Sequence, residues 1–339
     1  MTSLNYSKQI IDFFKNDKTT QLIEQKEKTA LKELLSLLDK SIKFILPERG
    51  EILTSYNAEE GEQNKFNREW VDLMFLPYPI VAFEIPFTYH DTEKVKQIDG
   101  INLQVQSEKR VALCWNPKHD DPDILKINKI LEKYDFVNSP NYLVGEKDSY
   151  DGFCIAVFFY NHIEKEWCYA PSGAFLPYSL NQDIDPSTKD DGALYGRLIN
   201  LFPFYTDILY KQYNFRSSSL QKQLWLDINH EVWAILQVCC VLNCENIRTR
   251  TISPPDKQQK SRVRKGLKPL YSYKALTIKA SGAGYENMYG VGTEQGGTKR
   301  THFRRGHIRR LSGKSVWVRS AIVGANNLGT VDKEYHIKK

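Results

Sequence analysis

Long apolar runs are missing from this sequence. The longest, Ile155–Tyr160 and Val238–Leu242, fall far short of the roughly 18–20 residues a membrane span needs, so no span is expected. The opening MTSLNYSKQIIDFFKNDK lacks a continuous apolar stretch and a small-residue cleavage site, so no secretory signal is expected either. Cysteine is sparse: Cys114, Cys154, Cys168, Cys239, Cys240 and Cys244 sit in apolar or aromatic surroundings without regular spacing. That excludes the disulfide framework of a small secreted protein and points to buried thiols in a soluble, cytoplasmic chain. The usual catalytic motifs are also missing. There is no phosphate-cradling P-loop, no serine nucleophile elbow and no HExxH helix, and the glycines of Gly282–Gly297 do not join a strand to a helix. Cys240 and Cys244 have no second pair at ligand spacing, and the acidic loop Asp183, Asp185, Asp190 and Asp191 lacks the glycine and closing glutamate of an EF-hand. No cofactor and no metal are expected.

What is present is a lopsided charge. From Glu245 to Lys339 there are 21 Lys/Arg against 6 Asp/Glu, net +15; the preceding 244 residues hold 26 against 35, net −9. An acidic body with a basic C-terminal segment points to a polyanionic partner.

Hydrophobic spacing separates the chain into regions. Residues 4–46 read as helical: a short helix around Ile10–Phe14, then a stripe through Leu22, Ile23, Leu31, Leu34, Leu35, Leu38 and Ile42, ended by Pro47 and Gly50. Phe66–Phe75 reads as a further helix, after which the period changes. Ile80–Ile85, Gly100–Gln106, Arg110–Trp115, Phe153–Tyr160 and Trp167–Tyr169 read as strands, the last two forming a hairpin, with a helix over Asp123–Tyr134. Gly192–Asn214 and Ser219–Leu242 read as helices, the second apolar enough for the interior. Arg248–Lys268, with Pro254-Pro255 and dense basic charge, reads as an extended linker. Leu270–Lys279, Thr301–Leu311, Lys314–Ile322 and Thr330–Ile337 read as strands. The expected fold class is α+β: N-terminal helices (1–50), an acidic body with a central antiparallel sheet and packed helices (51–247), a basic linker (248–268) and a small basic β-rich module (269–339).

The module carries the chemistry. On a regular strand, Thr301-His-Phe-Arg-Arg-Gly-His-Ile-Arg-Arg-Leu311 places His302, Arg304, Ile308 and Arg310 on one face and Phe303, Arg305, His307 and Arg309 on the other. Arginine offers a planar, permanent cation matched to phosphate, and aromatic Tyr271, Tyr273, Phe303 and Trp317 interleave with the bases, a combination suited to single-stranded nucleic acid. Lys260, Arg262, Arg264, Lys265 and Lys268 would neutralise phosphates. Arg304, Arg305, Arg309, Arg310, Lys314 and Arg319 would grip the backbone, and Tyr273, His302, His307 and Trp317 would stack or hydrogen-bond. RNA is the favoured polyanion; a solvated basic edge strand is the bland reading of the same string. The alternative from another class is a metal-independent ribonuclease or toxin using His302 or His307 as acid and base. Against it, the two histidines face opposite ways on a regular strand and no carboxylate lies near to orient either one. A catalytic role is therefore not the first expectation.

His302-Phe-Arg-Arg-Gly-His307, followed by a turn and Val316-Trp-Val-Arg319, resembles the C-terminal signature of a family of phage, prophage and plasmid proteins whose characterised representative is a type V anti-CRISPR protein. Looser similarity covers Leu76-Pro77 leading into Val81–Ile85, the helix around Trp233–Val241 running into a basic segment, and Tyr273. Residues 1–60 show none. The string departs from the family pattern at Ile308, where an aromatic is expected. The resemblance implies a mobile-element protein in the host cytoplasm that evades host defence by blocking production of a type V-A CRISPR effector. The effector's message would be lost during translation, after recognition of the nascent polypeptide. RNA or the ribosome, and that polypeptide or another host protein, are the implied partners.

Overall fold

The computed structural model describes residues 5–16, 25–50, 52, 72–87, 97–98, 101–102, 107–132, 151–162, 164–178, 197–213, 217–278, 300–304, 307–318, 321–323 and 325–330. The chain begins with two helices, α1 (Tyr6–Asn16) and α2 (Gln25–Lys40), and a short strand, β1 (Ile42–Ile45). Then come β2 (Ile80–Pro86), β3 (Gln97–Ile98), β4 (Ile101–Asn102), β5 (Lys109–Trp115) and α3 (Pro122–Leu131). β6 (Gly152–Asn161), β7 (Glu166–Tyr169), β8 (Ser172–Pro177) and β9 (Arg197–Asn200) lead into α4 (Pro203–Tyr213) and the long α5 (Ser217–Leu242). The basic segment supplies β10 (Ile247–Ile252), α6 (Asp256–Arg264), β11 (Tyr273–Ile278), β12 (Arg300–Arg304), β13 (His307–Leu311), β14 (Lys314–Val318), β15 (Ala321–Val323) and β16 (Ala325–Thr330).

β2, β5 and β6 are rich in β-branched and aromatic residues, and they pair antiparallel as the centre of a nine-stranded sheet ordered β10-β11-β1-β2-β5-β6-β8-β9, with β7 beside β8 on the same edge of β6. β1 is the exception to the antiparallel pattern: it lies parallel to both β2 and β11. Alternate residues of each central strand enter two cores. Val81, Phe83, Ala112, Cys114, Phe153 and Ile155 face α5, while Ala82, Leu113, Trp115, Cys154, Ala156 and Phe158 face α1, α2 and α3. Two covered faces explain why these strands are apolar throughout rather than alternating. The architecture is α+β in three layers. Among the described residues no helix is long and apolar enough to cross a membrane.

Local chemistry fixes the helices. Asp121 caps α3, accepting from Asp123 N (2.8 Å), and Pro122 occupies the first turn where no N–H is needed. Lys40 of α2 pairs with both Asp121 and Asp123, tying α2 to α3. Glu27 of α2 accepts from Phe204 N (2.7 Å) and Tyr205 N (3.1 Å), a cap supplied to α4 from another helix.

Five segments differ from the sequence reading, among them Lys314–Ile322, which is divided between β14 and β15 in separate sheets. Ile42–Ile45 is a strand, because α2 ends at Lys40 and the apparent helical spacing of Leu38 and Ile42 spans the bend at Ser41. Residues 197–200 form β9 ahead of α4, where a single helix was expected. Arg248–Lys268 is not an extended linker: it holds most of β10 and all of α6, and with β11 it extends the body's own sheet. Thr301–Leu311 is two strands in separate sheets, β12 pairing with β15 and β16 and β13 with β14. The expected helix over Phe66–Phe75, the acidic loop at 183–191, the glycine-rich 282–297 and the strand beyond Thr330 fall largely or wholly outside the described residues.

Candidate nucleic-acid interface

α6 reads Asp-Lys-Gln-Gln-Lys-Ser-Arg-Val-Arg and buries no residue. Hydrophobic packing cannot hold it, so hydrogen bonds do. Gln259 clamps Leu270 through both amide atoms, donating to its carbonyl (2.8 Å) and accepting from its N–H (2.7 Å), and Arg262 Nε donates to Lys268 O (2.9 Å). The C-terminus closes with Leu267 N to Arg262 O (3.0 Å) and Gly266 N to Val263 O (3.0 Å), with Gly266 at φ +68°. This paired pattern needs a left-handed residue at that position, which glycine adopts without a Cβ penalty. Arg262 and Arg264 in the last turn complement the negative end of the helix dipole.

Helical periodicity then sorts the side chains. Gln259 and Arg262 face the loop, while Lys257, Lys260, Ser261, Arg264 and Lys265, at three- and four-residue spacing, form an outward stripe. All five are exposed, and Val263 and Leu267 stand exposed beside them. Asp256–Lys268 contains six cations and one carboxylate. An open depression of about 460 Å³ runs along this helix, lined by Pro255, Lys257, Ser261, Arg262, Lys265 and Leu267. Among the described residues, Lys268 is the one basic residue of the set with a carboxylate partner in the body, Asp39 of α2 (2.9 Å), and that bond raises its pKa.

The β13–β14 hairpin is a different environment. Ile308 is buried in the core cluster on the α5 face and is not placed to stack a base. Arg310, two residues on, forms a forked pair with Asp72 and donates to Ser315 Oγ (2.7 Å). Its charge is answered by a carboxylate, so a phosphate gripped there would have to compete with Asp72. Lys314 lies 4.0 Å from Glu245, and Arg309 is exposed. Trp317 is half-buried against the α5 core, and its backbone N–H and carbonyl are both held at 2.8 Å by the Asn246 amide. It is an anchor and not a stacking platform. β12 and β13 carry His302, Arg304 and His307, whose side chains lie outside the described residues, as do Arg305 and Arg319 entirely.

The aromatic interleaving is corrected too. Tyr273 is fully buried, and its hydroxyl donates to Glu84 Oε1 (2.9 Å). Tyr271 lies under the Lys43 ammonium (3.9 Å) and donates to Asp39. Both tyrosines therefore seat the N-terminal helices. Burial would raise the Asp39 carboxyl, but the bonds from Tyr271 and Lys268 outweigh it and hold it below the usual range.

The basic segment Arg248–Lys268 was legible as such, but Lys257, Arg248 and Arg250 were not named among its contacts. The signal was present in Ile247-Arg-Thr-Arg-Thr-Ile252, whose period of two marks a strand with one charged face. The described residues with donors close enough for a metal ion are Glu164, Glu166 and Cys168 on and before β7, within 4.8 Å of one another. Burial, and after it the two carboxylates, push the Cys168 thiol up to about 12, so the protonated form prevails there at neutral pH. Compared with known proteins, the chain matches no family model, no curated protein and no solved structure.

Proposed function

We propose that this protein binds RNA through the outward face of α6, as part of an inhibitor of the class its C-terminal motif resembles. In that reading the basic end holds a message or a ribosome while the acidic body recognises a protein segment. The observation that supports it is a helix with no buried residue, fixed by its inner face, that presents a stripe of cations with no carboxylate partner among the described residues. Such a helix contributes nothing to the core, and its like charges repel one another. A phosphate chain relieves that repulsion and releases counterions. Neither histidine is assigned catalysis: β12 and β13, which carry them, belong to separate sheets.

The test is a titration of the whole chain with labelled single-stranded RNA across salt. Binding should weaken steeply, with a slope of about 0.7 per phosphate neutralised, or roughly 2–4 for three to five contacts. The combined variant Lys257→Glu, Lys260→Glu, Arg264→Glu should lose at least about tenfold in affinity with an unchanged melting curve. A flat salt response, or an unaffected variant, overturns the reading. The wider role is checked by co-expressing the chain with a type V-A effector: effector message should fall, and the same variant should restore it.

A further inference from the structure

α6 is not alone in carrying positive charge at this end of the molecule. The β10–β11 register sets Ile252 opposite Tyr273, Arg250 opposite Ala275 and Arg248 opposite Thr277. Directly opposed residues of an antiparallel pair project to the same face. Tyr273 projects to the face where α1 and Glu84 lie, so Arg250 and Arg248 project there as well, and both are exposed. The loop after α6 leans on that same side, through Lys268 and Tyr271 to Asp39 of α2. Neither β10 nor β11 contains a carboxylate, and among the described residues β10 is the outermost strand of the sheet. β10 runs into the start of α6 after three intervening residues, so along the chain Arg248 and Arg250 lead into the α6 stripe.

We infer that the RNA surface continues from α6 along the open face of β10, with Arg250 and Arg248 as successive phosphate contacts and a single strand laid along this edge. The inference rests on the reading of α6 as an RNA contact. Six strand residues add about 20 Å to the path. β10 is an extended strand, and a flexible single strand can follow its two arginines, whereas a duplex backbone curves away from an extended row within a few phosphates. Single-strand grooves of this kind occupy roughly 4–16 nucleotides.

The experiment measures affinity of the full chain for labelled RNAs of about 4, 8, 12 and 16 nucleotides, a range taken from known site sizes. Affinity should climb from the shortest to about the third length. Arg250→Gln, alone and with Arg248→Gln, should weaken the 12-mer roughly 3- to 10-fold and lower the salt slope by about 0.7 per residue, leaving the 4-mer unchanged. Arg248 also donates to the carbonyls of Glu245 (3.3 Å) and Ile247 (2.9 Å), so the single Arg250 variant decides the matter if the pair unfolds. If the α6 variant abolishes binding while Arg250→Gln changes nothing, the track along β10 is wrong and the α6 reading stands. If neither changes binding, both fall. Tighter binding of a duplex, or of single-stranded DNA of the same sequence, overturns the assignment to single-stranded RNA.

Discussion

Glu84 sits in the middle of a strand whose neighbours are all apolar, fully buried, and accepts from Tyr6 N (3.0 Å), Ser7 N (2.8 Å) and Tyr273 Oη (2.9 Å). One carboxylate therefore caps α1 and ties it to β11. Burial raises its pKa, against the pull of those bonds. Tyr273→Phe removes one donor from a buried charge and should cost roughly 1–3 kcal/mol in denaturant unfolding. RNA affinity should be untouched, which separates this structural role from the stacking role its sequence position suggested. Lys43, on the same sheet face, donates to Asp39 O (2.7 Å) and Ser41 O (2.8 Å) at the end of α2. Burial pulls its ammonium down to about 8, against the fields of Asp39 and Glu84. Between that value and the unfolded value of 10.5 the unfolded chain holds the proton more tightly, so stability rises with pH across this window. Wild type should gain on Lys43→Met by up to about 3 kcal/mol from pH 8 to 10.5, and a constant difference would sink the assignment. Neither group was legible beforehand as a partner. A single charge inside an apolar run signals a buried site, but only the fold says what answers it.

At the scale of elements, the apolar ones were readable and the polar one was not. β2, β5, the β6–β7 hairpin, α3 and α5 follow their hydrophobic spacing because burial drives them. α6 has no such spacing, and its marks were caps alone: Pro255 before the first turn and Gly266 after the last. Gly266→Ala meets open space but must hold φ +68°, so it should loosen α6 by about 1 kcal/mol, read as faster amide exchange in residues 257–264. Gly50 differs, because there both backbone and space are constrained. At φ +69°, its added Cβ would lie 2.4 Å from Ala234 Cβ on α5. Gly50→Ala should therefore lower stability by roughly 2–4 kcal/mol, and an unchanged melting temperature would refute the close contact. The histidine-arginine string was misread as one strand because alternation within ten residues cannot reveal a break between sheets.

Over the whole molecule, the charge map was plain in the sequence while its placement was not. The basic segment divides between an outward helix, a sheet edge and a hairpin whose Arg310 is answered by Asp72. Opposite charge on the two parts of the chain predicts weak head-to-tail association of RNA-free protein near 20 mM salt (a Debye length of roughly 20 Å), lost near 0.3 M. Sedimentation at the two salts checks it; one concentration-independent species in both would refute it. The position of β1 has a further consequence. It occupies an interior place in the sheet, with β2 on one side and β11 on the other, although more than two hundred residues separate it from β11. While the chain is being synthesised, that flank of β1 must wait for its neighbour, so a polypeptide halted before Tyr273 carries an open, aggregation-prone seam.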